Sequence, residues 1–575
     1  MLTFEFMNKM QWNHPKPIEK ELVQQFSKSL NNLDSTLAEI LIQRGVDTFE
    51  KAKSFFRPNL EEIHDPFLMK DMDVAVERIE FAIANNQKIL IYGDYDVDGT
   101  TAVSLVYSFL SDYYDQLAFY IPDRYKEGYG VSYAGIDFAS DNDFELIIAL
   151  DCGIKAIEKV DYATKKGVDF IICDHHRPGD EIPKAVAVLD PKRKDCDYPY
   201  KELSGAGVGF KLMQAFANKR SIPFEKLGPL SDLLAVSIAA DIVPMTGENR
   251  LLAYYGLQLI NKNPRPGIAA MISSAQLKKH ELTITDVVFT IAPRINAAGR
   301  IESGLRAVEL LITSDKDTAE EACKGINNNN IERKELDKDI TREALEMMAA
   351  VPNLDQLRST VLFSEDWHKG VIGIVASRVI ETHYKPTIVL TESNGNATGS
   401  ARSVKGFDVY NAIDACSEHL EQFGGHMYAA GLTMKVEKIE DFRNAFETYV
   451  AANITEEQLT PAVEVDAYLT LSQINDRFFK VLRQFAPHGP LNMRPVFETR
   501  DVLLYGKARI VGDNHLKIAV TNADGSAIIE CIGFGLGQYI DDIQDKPFHI
   551  TYVIDENEFR GKKTLQLLLK DIHIE

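Results

Sequence analysis

Six cysteines are scattered through 575 residues, and no two of them form a CxxC pair. That usage leaves no disulfide framework and no cysteine cage for structural zinc, and it suits a reduced compartment. Cys152 and Cys173 flank acidic motifs, where they read as small apolar residues at strand ends. Long apolar runs are missing too. No stretch approaches the roughly 20 residues of a membrane helix, and no apolar run near the start reads as a secretory signal. The expectation is a cytoplasmic protein with no membrane attachment. Basic residues are in deficit, 63 against 85 acidic, for a formal net charge of −22. A surface that coats a polyanion nonspecifically is therefore excluded. A local basic groove is not, because repulsion is screened beyond about 8 Å at physiological salt. Internal repeats and charged tails are also lacking, and the run Asn327 to Asn330 reads as a polar helix face.

What the chain does have is one layout three times over. Lys88-Ile-Leu-Ile-Tyr-Gly93 is followed by Asp94, Asp96 and Asp98; Phe144-Glu-Leu-Ile-Ile-Ala-Leu150 by Asp151; and Val168-Asp-Phe-Ile-Ile-Cys173 by Asp174, His175 and His176. Short, almost continuous apolar runs read as buried parallel strands, and the segments between them, Thr100 to Asp112 and Ile154 to Lys166 with Gly167 as a stop, read as helices. Ligands of open α/β sheets collect beyond the carboxyl ends of the strands, so these acids and histidines are expected to converge in one crevice. An extended backbone would project Asp94, Asp96 and Asp98 to one side, where three carboxylates repel one another unless a divalent cation neutralises them. Mixed carboxylate and imidazole ligands suit Mn²⁺ or Mg²⁺.

Several motifs together resemble a known family. Gly93-Asp-Tyr-Asp-Val-Asp-Gly99, Asp151-Cys-Gly153, Asp174-His-His176, Ser204-Gly-Ala-Gly-Val-Gly-Phe210 and Ala239-Ala-Asp-Ile-Val-Pro244 are similar, in order and spacing, to motifs of the DHH phosphoesterase superfamily, and within it of the RecJ family of single-strand-specific exonucleases. Pro293-Arg-Ile-Asn-Ala-Ala-Gly-Arg300 resembles the motif after the DHH domain. Gly424-Gly-His-Met-Tyr-Ala-Ala-Gly431, Trp367-His-Lys-Gly-Val-Ile-Gly373, Ala376-Ser-Arg378 and Ser400-Ala-Arg402 resemble the DHHA1 domain. One departure stands out: where the pyrophosphatase branch has a histidine ligand, this chain has Tyr92.

The resemblance implies two divalent ions, Mn²⁺ or Mg²⁺, with Asp94 and Asp96 at the first, Asp98, His175 and Asp241 at the second, and Asp151 between them. It implies Asp174 as the residue that orients the histidines and His176 as an acid or phosphate contact. Arg124, Arg300, Arg378, Arg402 and His426 are the implied substrate contacts, whereas Arg294 and Arg306 read as surface salt bridges. The implied activity is 5′ to 3′ exonuclease digestion of single-stranded DNA in recombination and repair. Single-strand-binding protein and a RecQ-type helicase are the implied partners of a monomer.

The expected architecture is α/β: an N-terminal helical segment to about residue 75, a DHH domain with a parallel sheet from 76 to 305, a connecting helix from 306 to 354, an α/β DHHA1 domain from 355 to 455, and an OB-like β-barrel from 456 to 575. The connecting helix carries Ile326, Ile331, Leu336 and Ile340 near helical spacing. The barrel is expected from short alternating segments at Pro461, Val496, His515, Ala527 and Lys563. Two other readings are a DHH phosphodiesterase of short oligoribonucleotides or cyclic dinucleotides, which the residues after 455 weigh against, and a replication scaffold, which the complete set of acids weighs against.

Overall fold

The computed structural model describes residues 10–277, 281–301, 303–544 and 546–574. It comprises two units, one of Val46–Ile331 with Arg483–Arg494, the other of Met1–Gly45, Glu332–Leu482 and Pro495–Glu575.

The first unit is built on five parallel strands, in spatial order Leu117–Tyr120, Lys88–Gly93, Phe144–Leu150, Asp169–Cys173 and Ala187–Leu189. The three long strands are those anticipated from the apolar runs. The two outer ones, of four and three residues, are too short to show a pattern. Alternate side chains of the long strands enter different cores: Ile89, Ile91, Leu146 and Ile148 on one face, Leu90, Ile147, Ala149 and Ile172 on the other. Burial on both faces is why the runs are continuous rather than alternating. Chain order reverses at Lys88–Gly93, which has its successor on one side and all later strands on the other. This switch point puts the crevice beyond Gly93 and Leu150. The helices Val97–Leu110 and Ile157–Lys165 return the chain, the second ending before Gly167 at φ +79°.

In the second unit a five-stranded sheet runs in the order Gln422–His426, Ala429–Lys435, Asn396–Arg402, Thr387–Ser393, Thr360–Phe363. The C-terminal region closes into a five-strand barrel: Phe497–Val511 pairs with His515–Thr521, then follow Ile528–Gly533, Lys562–Ile574 and Phe548–Phe559, which pairs back to Phe497–Val511. The closing strand Phe548–Phe559 escaped the sequence reading because its second half, Asp555-Glu-Asn-Glu558, is polar throughout. The segment expected as one strand from Pro461 is two short ones, Ala462–Glu464 and Ala467–Tyr468.

One long-range feature was not legible in the sequence. Residues Gln11–Asn13 pair in parallel with Ala462–Glu464, and Trp12 stacks on His573 at 3.9 Å while its Nε1 donates to Asp571. The N-terminal stretch thus divides, its first part folding with the barrel. The connecting helix spans Lys316–Ala349. Ile326 enters the core of the first unit and Ile340, Ala344 and Met348 a core of the second, while Ile331, at the boundary of the two units, is 47 % exposed.

Candidate metal centre

Asp94, Asp96 and Asp98 do not line an extended strand as the spacing suggested. The strand stops at Gly93, Asp96 caps the next helix by accepting from the Gly99 amide (3.0 Å), and Asp98 lies in that helix's first turn. The turn is tight: a Cβ on residue 99 would come within 2.4 Å of the Asp94 carbonyl oxygen, so glycine is required there. Asp98 is held from outside the motif. Its carboxylate accepts from the amides of Gly205 (2.6 Å) and Ala206 (2.9 Å) and from the Ser237 hydroxyl (2.7 Å). The glycine-rich segment therefore starts the helix Gly205–Lys219, and the positive end of that helix faces a carboxylate. A Cβ on Gly205 would also meet the Asp151 carboxylate at 2.6 Å.

Asp151 follows its strand in the left-handed region, φ +59°, tied by its amide to the Cys173 carbonyl (2.8 Å). Strain of this kind persists where surrounding structure over-determines it, often at functional sites. His175 Nε2 lies 3.1 Å from Asp151 Oδ1, 3.5 Å from Asp241 Oδ2 and 3.8 Å from Asp98 Oδ2. Yet among the described residues both oxygens of Asp151, both ring nitrogens of His175 and Oδ2 of Asp94 are buried with no hydrogen-bond partner. Donor atoms at that separation without hydrogen-bond geometry fit a shared cation, since neighbouring ligands about 2.1 Å from an ion are roughly 3 Å apart. Burial, then the charges of neighbouring carboxylates, push the Asp151 and Asp94 carboxyls well above the usual range, and burial holds the His175 imidazole below its ordinary value. A divalent cation would relieve that repulsion and take the neutral ring as a ligand. The residues thus fit Mn²⁺ or Mg²⁺. The structure joins Asp98, His175 and Asp241 in one ligand group and Asp151, His175 and His176 in an overlapping one; Asp94 and Asp96 fall in neither.

Asp174 falls in neither group and holds the histidine pair instead. Its carboxylate accepts from the amides of His175 (2.8 Å), His176 (3.1 Å) and Ile154 (2.8 Å) and contacts His176 Nδ1 (2.8 Å). Partial burial opposes the charged His176 ring, but the hydrogen bond and charge of Asp174 outweigh it and push its pKa up to about 9. His176 Nε2 faces the Tyr129 hydroxyl at 3.3 Å. Tyr92 is no ligand: its hydroxyl donates to the Gly130 carbonyl and accepts from the Ser132 amide.

Among the arginines, Arg124 stacks over Tyr95 at 4.7 Å, and the charges of Arg124 and Arg300 both bear on the Tyr95 and Tyr125 phenols. The two are thereby brought together beside the Asp94 turn. Arg294 differs from its expected surface ion pair, being buried and donating to the Thr290 carbonyl and Ser274 hydroxyl, whereas Arg306 pairs with Glu309 as expected. The other expected contacts belong to the second unit. Arg402 and His426 flank Ala429 in one cross-strand row of the sheet, while Arg378 pairs with Glu381 (3.2 Å). Sequence reading missed Tyr95, Tyr129, Ser237 and Asp190. Asp190 ends the fifth strand, and burial pushes its carboxyl up to about 7. A three-residue strand gave no signal for it.

Comparison with known proteins agrees with this geometry. Residues 88–238 match the family model for the N-terminal domain of the DHH family, 356–452 the DHHA1 domain and 465–571 the RecJ OB domain. The single-stranded-DNA-specific exonuclease RecJ of Bacillus subtilis is 37 % identical over 98 % of this chain and 71 % of its own length. Its counterpart in Dickeya dadantii is 32 % identical over 94 % and 96 %. The crystal structure of Thermus thermophilus RecJ with Mn²⁺ superposes with a TM-score of 0.84, at 24 % identity, over 98 % of this chain and 80 % of that one. With DHH, DHHA1 and RecJ OB domain matches along it and relatives more than 30 % identical over nearly its whole length, the chain belongs to the RecJ family of DHH phosphoesterases.

Proposed function

We propose that this centre hydrolyses the phosphodiester backbone of single-stranded DNA, releasing nucleotides from the 5′ end, with Mn²⁺ or Mg²⁺ as cofactor. The observation that carries the reading is the convergence of Asp98, Asp151, His175 and Asp241, in which both oxygens of Asp151 and both ring nitrogens of His175 are buried without hydrogen-bond partners. Two divalent ions bound there would neutralise charge on the attacked phosphate and make a water molecule acidic enough to act as nucleophile. Asp94 and Asp96 would hold the first ion and Asp98, His175 and Asp241 the second, with Asp151 available to both.

The rest of the work falls to the chain's own groups. Asp174 fixes the His176 ring through Nδ1, leaving Nε2 pointed toward the Tyr129 hydroxyl and able to give a proton to the departing oxygen. Arg124 and Arg300, gathered at Tyr95, offer guanidinium forks to a terminal phosphate and so set the direction of digestion. Arg378, Arg402 and His426 of the DHHA1 domain are further phosphate contacts in this reading, and the barrel a single-strand-binding surface. The reading extends to a cytoplasmic monomer in recombination and repair, working with single-strand-binding protein or a RecQ-type helicase, and to domain limits near residues 75, 305, 354 and 455.

The test uses 5′- and 3′-labelled single strands, duplex DNA and RNA with Mn²⁺, Mg²⁺ or EDTA. Stepwise loss of the 5′ label from single-stranded DNA alone, abolished by EDTA, is expected. Turnover of only short oligoribonucleotides, release from the 3′ end, or activity in EDTA overturns it.

A further inference from the structure

Immediately after the ligand Asp241 the backbone does something costly. Ile242 adopts φ +59° and leaves its side chain 71 % exposed. A β-branched residue in the left-handed region is a genuine outlier, and exposure of the side chain gives the fold nothing in return. A second bulky aliphatic residue repeats the oddity nearby. Leu491 has φ +60° and is 70 % exposed, and Met493 is 63 % exposed. The two loops are joined: the Met245 amide donates to the Pro490 carbonyl (2.8 Å), and Gly489 packs so closely on Met245 that a Cβ there would approach its side chain to 3.1 Å. The turn carrying Leu491 is braced from within. Gly489 and Asn492 exchange backbone hydrogen bonds, the buried Asn492 amide group donates to the Phe485 and Pro487 carbonyls, and Arg250 donates to the Ala486 carbonyl. Interior groups therefore hold in place a tip that is apolar outside.

We propose that Ile242, Leu491 and Met493 form an apolar platform for the nucleobase of the nucleotide whose phosphate lies at the metal centre. The inference rests on the functional reading above and deepens it. Consecutive Cα atoms are 3.8 Å apart, so the side chain after Asp241 cannot be far from a phosphate bound at the ion that Asp241 would ligate. The part of a single strand that lies that close to its phosphate and is apolar is the base face. Every base has such a face and an aliphatic surface makes no hydrogen bonds with base edges, so the platform accepts all four bases, as an enzyme digesting any sequence requires.

The experiment compares 5′-phosphorylated single strands carrying either ordinary or abasic terminal nucleotides, cut by the wild type, Ile242→Gly and Leu491→Gly. Glycine relieves the backbone strain, so the thermal midpoint should stay level or rise. KM on ordinary strands should rise about five- to thirtyfold while kcat stays within about threefold. The wild type's preference for ordinary over abasic ends should collapse in both variants. A wild type that cuts no single strand overturns the functional reading and the platform with it. A wild type that cuts them, with variants that keep its KM and its preference, overturns the platform alone and leaves the patch to a protein partner.

Discussion

The carboxyl ends of the parallel sheet and the outer face of the C-terminal barrel use charge in opposite ways. At the sheet, Asp94, Asp98, Asp151 and His175 are all at or below 5 % exposure, and the charges of Asp98, Asp96 and Asp241 add to the cost of charging the buried Asp151. On the barrel, charge is spread out and exposed. Arg509 sits opposite Lys517 in register, Tyr505 opposite Ala519, and Phe534 packs edge-on against His515 with 63 % of its surface open. Like charges directly opposite on a sheet are unfavourable, and Lys517 finds Glu530 only at 3.7 Å. A phosphate backbone over this face would reverse that cost. The difference teaches where function is concentrated: a reaction needs a few groups fixed and dry, whereas holding a strand needs area. Single substitutions should therefore be severe at the sheet and mild on the barrel.

The largest effect is expected from Asp151→Asn, which retains a side chain that tolerates the left-handed backbone and removes the charge that the proposed reading shares between two ions. Hydrolysis should fall by at least two to three orders of magnitude, roughly, with binding to a labelled single strand nearly intact. Activity within about tenfold of the wild type would remove Asp151 from the metal centre.

Next come the arginines beside Tyr95. Arg300→Ala and Arg124→Ala should each lower activity on 5′-phosphorylated strands by about tenfold to a hundredfold, and on 5′-hydroxyl strands far less, with lysine restoring only part. Equal losses on both substrates would assign these side chains to the scissile phosphate or to the fold.

Smaller again is the barrel. Arg509→Ala should weaken binding to long strands severalfold, leave cleavage of a trinucleotide unchanged, and reduce the slope of log affinity against log salt by about 0.7. An unchanged slope would mean that no phosphate meets this face. Smallest of all, Cys152→Ala and Cys173→Ala should leave metal content and activity near wild type, because both thiols are buried in the apolar cores and burial pushes them up, away from the thiolate form. Loss of bound metal in either variant would show the ligand set to be wrong.

Much of the metal centre was readable from local spacing. Apolar runs of six, seven and five residues ending in acids place Asp94, Asp151 and Asp174 at strand ends, and the sheet topology brings those ends together. The motif order around them carried the family resemblance. Asp98 was marked as a ligand, but not as the residue held by the amides of Gly205 and Ala206, more than a hundred positions away. Nor did anything in Asp241-Ile-Val-Pro244 announce a left-handed isoleucine.

The division follows from the reach of each interaction. Periodicity, turn residues and strand-end acids are consequences of backbone geometry over a few residues, so strands, helices and candidate ligands could be written down from the chain alone. Closure of the barrel by Phe548–Phe559, pairing of Gln11–Asn13 with Ala462–Glu464, the hold of Gly205 and Ala206 on Asp98, and the joining of the Ile242 and Leu491 loops depend on contacts between distant segments. Those contacts win by burying surface and satisfying hydrogen bonds that no local window contains, and the folded chain is where they first exist.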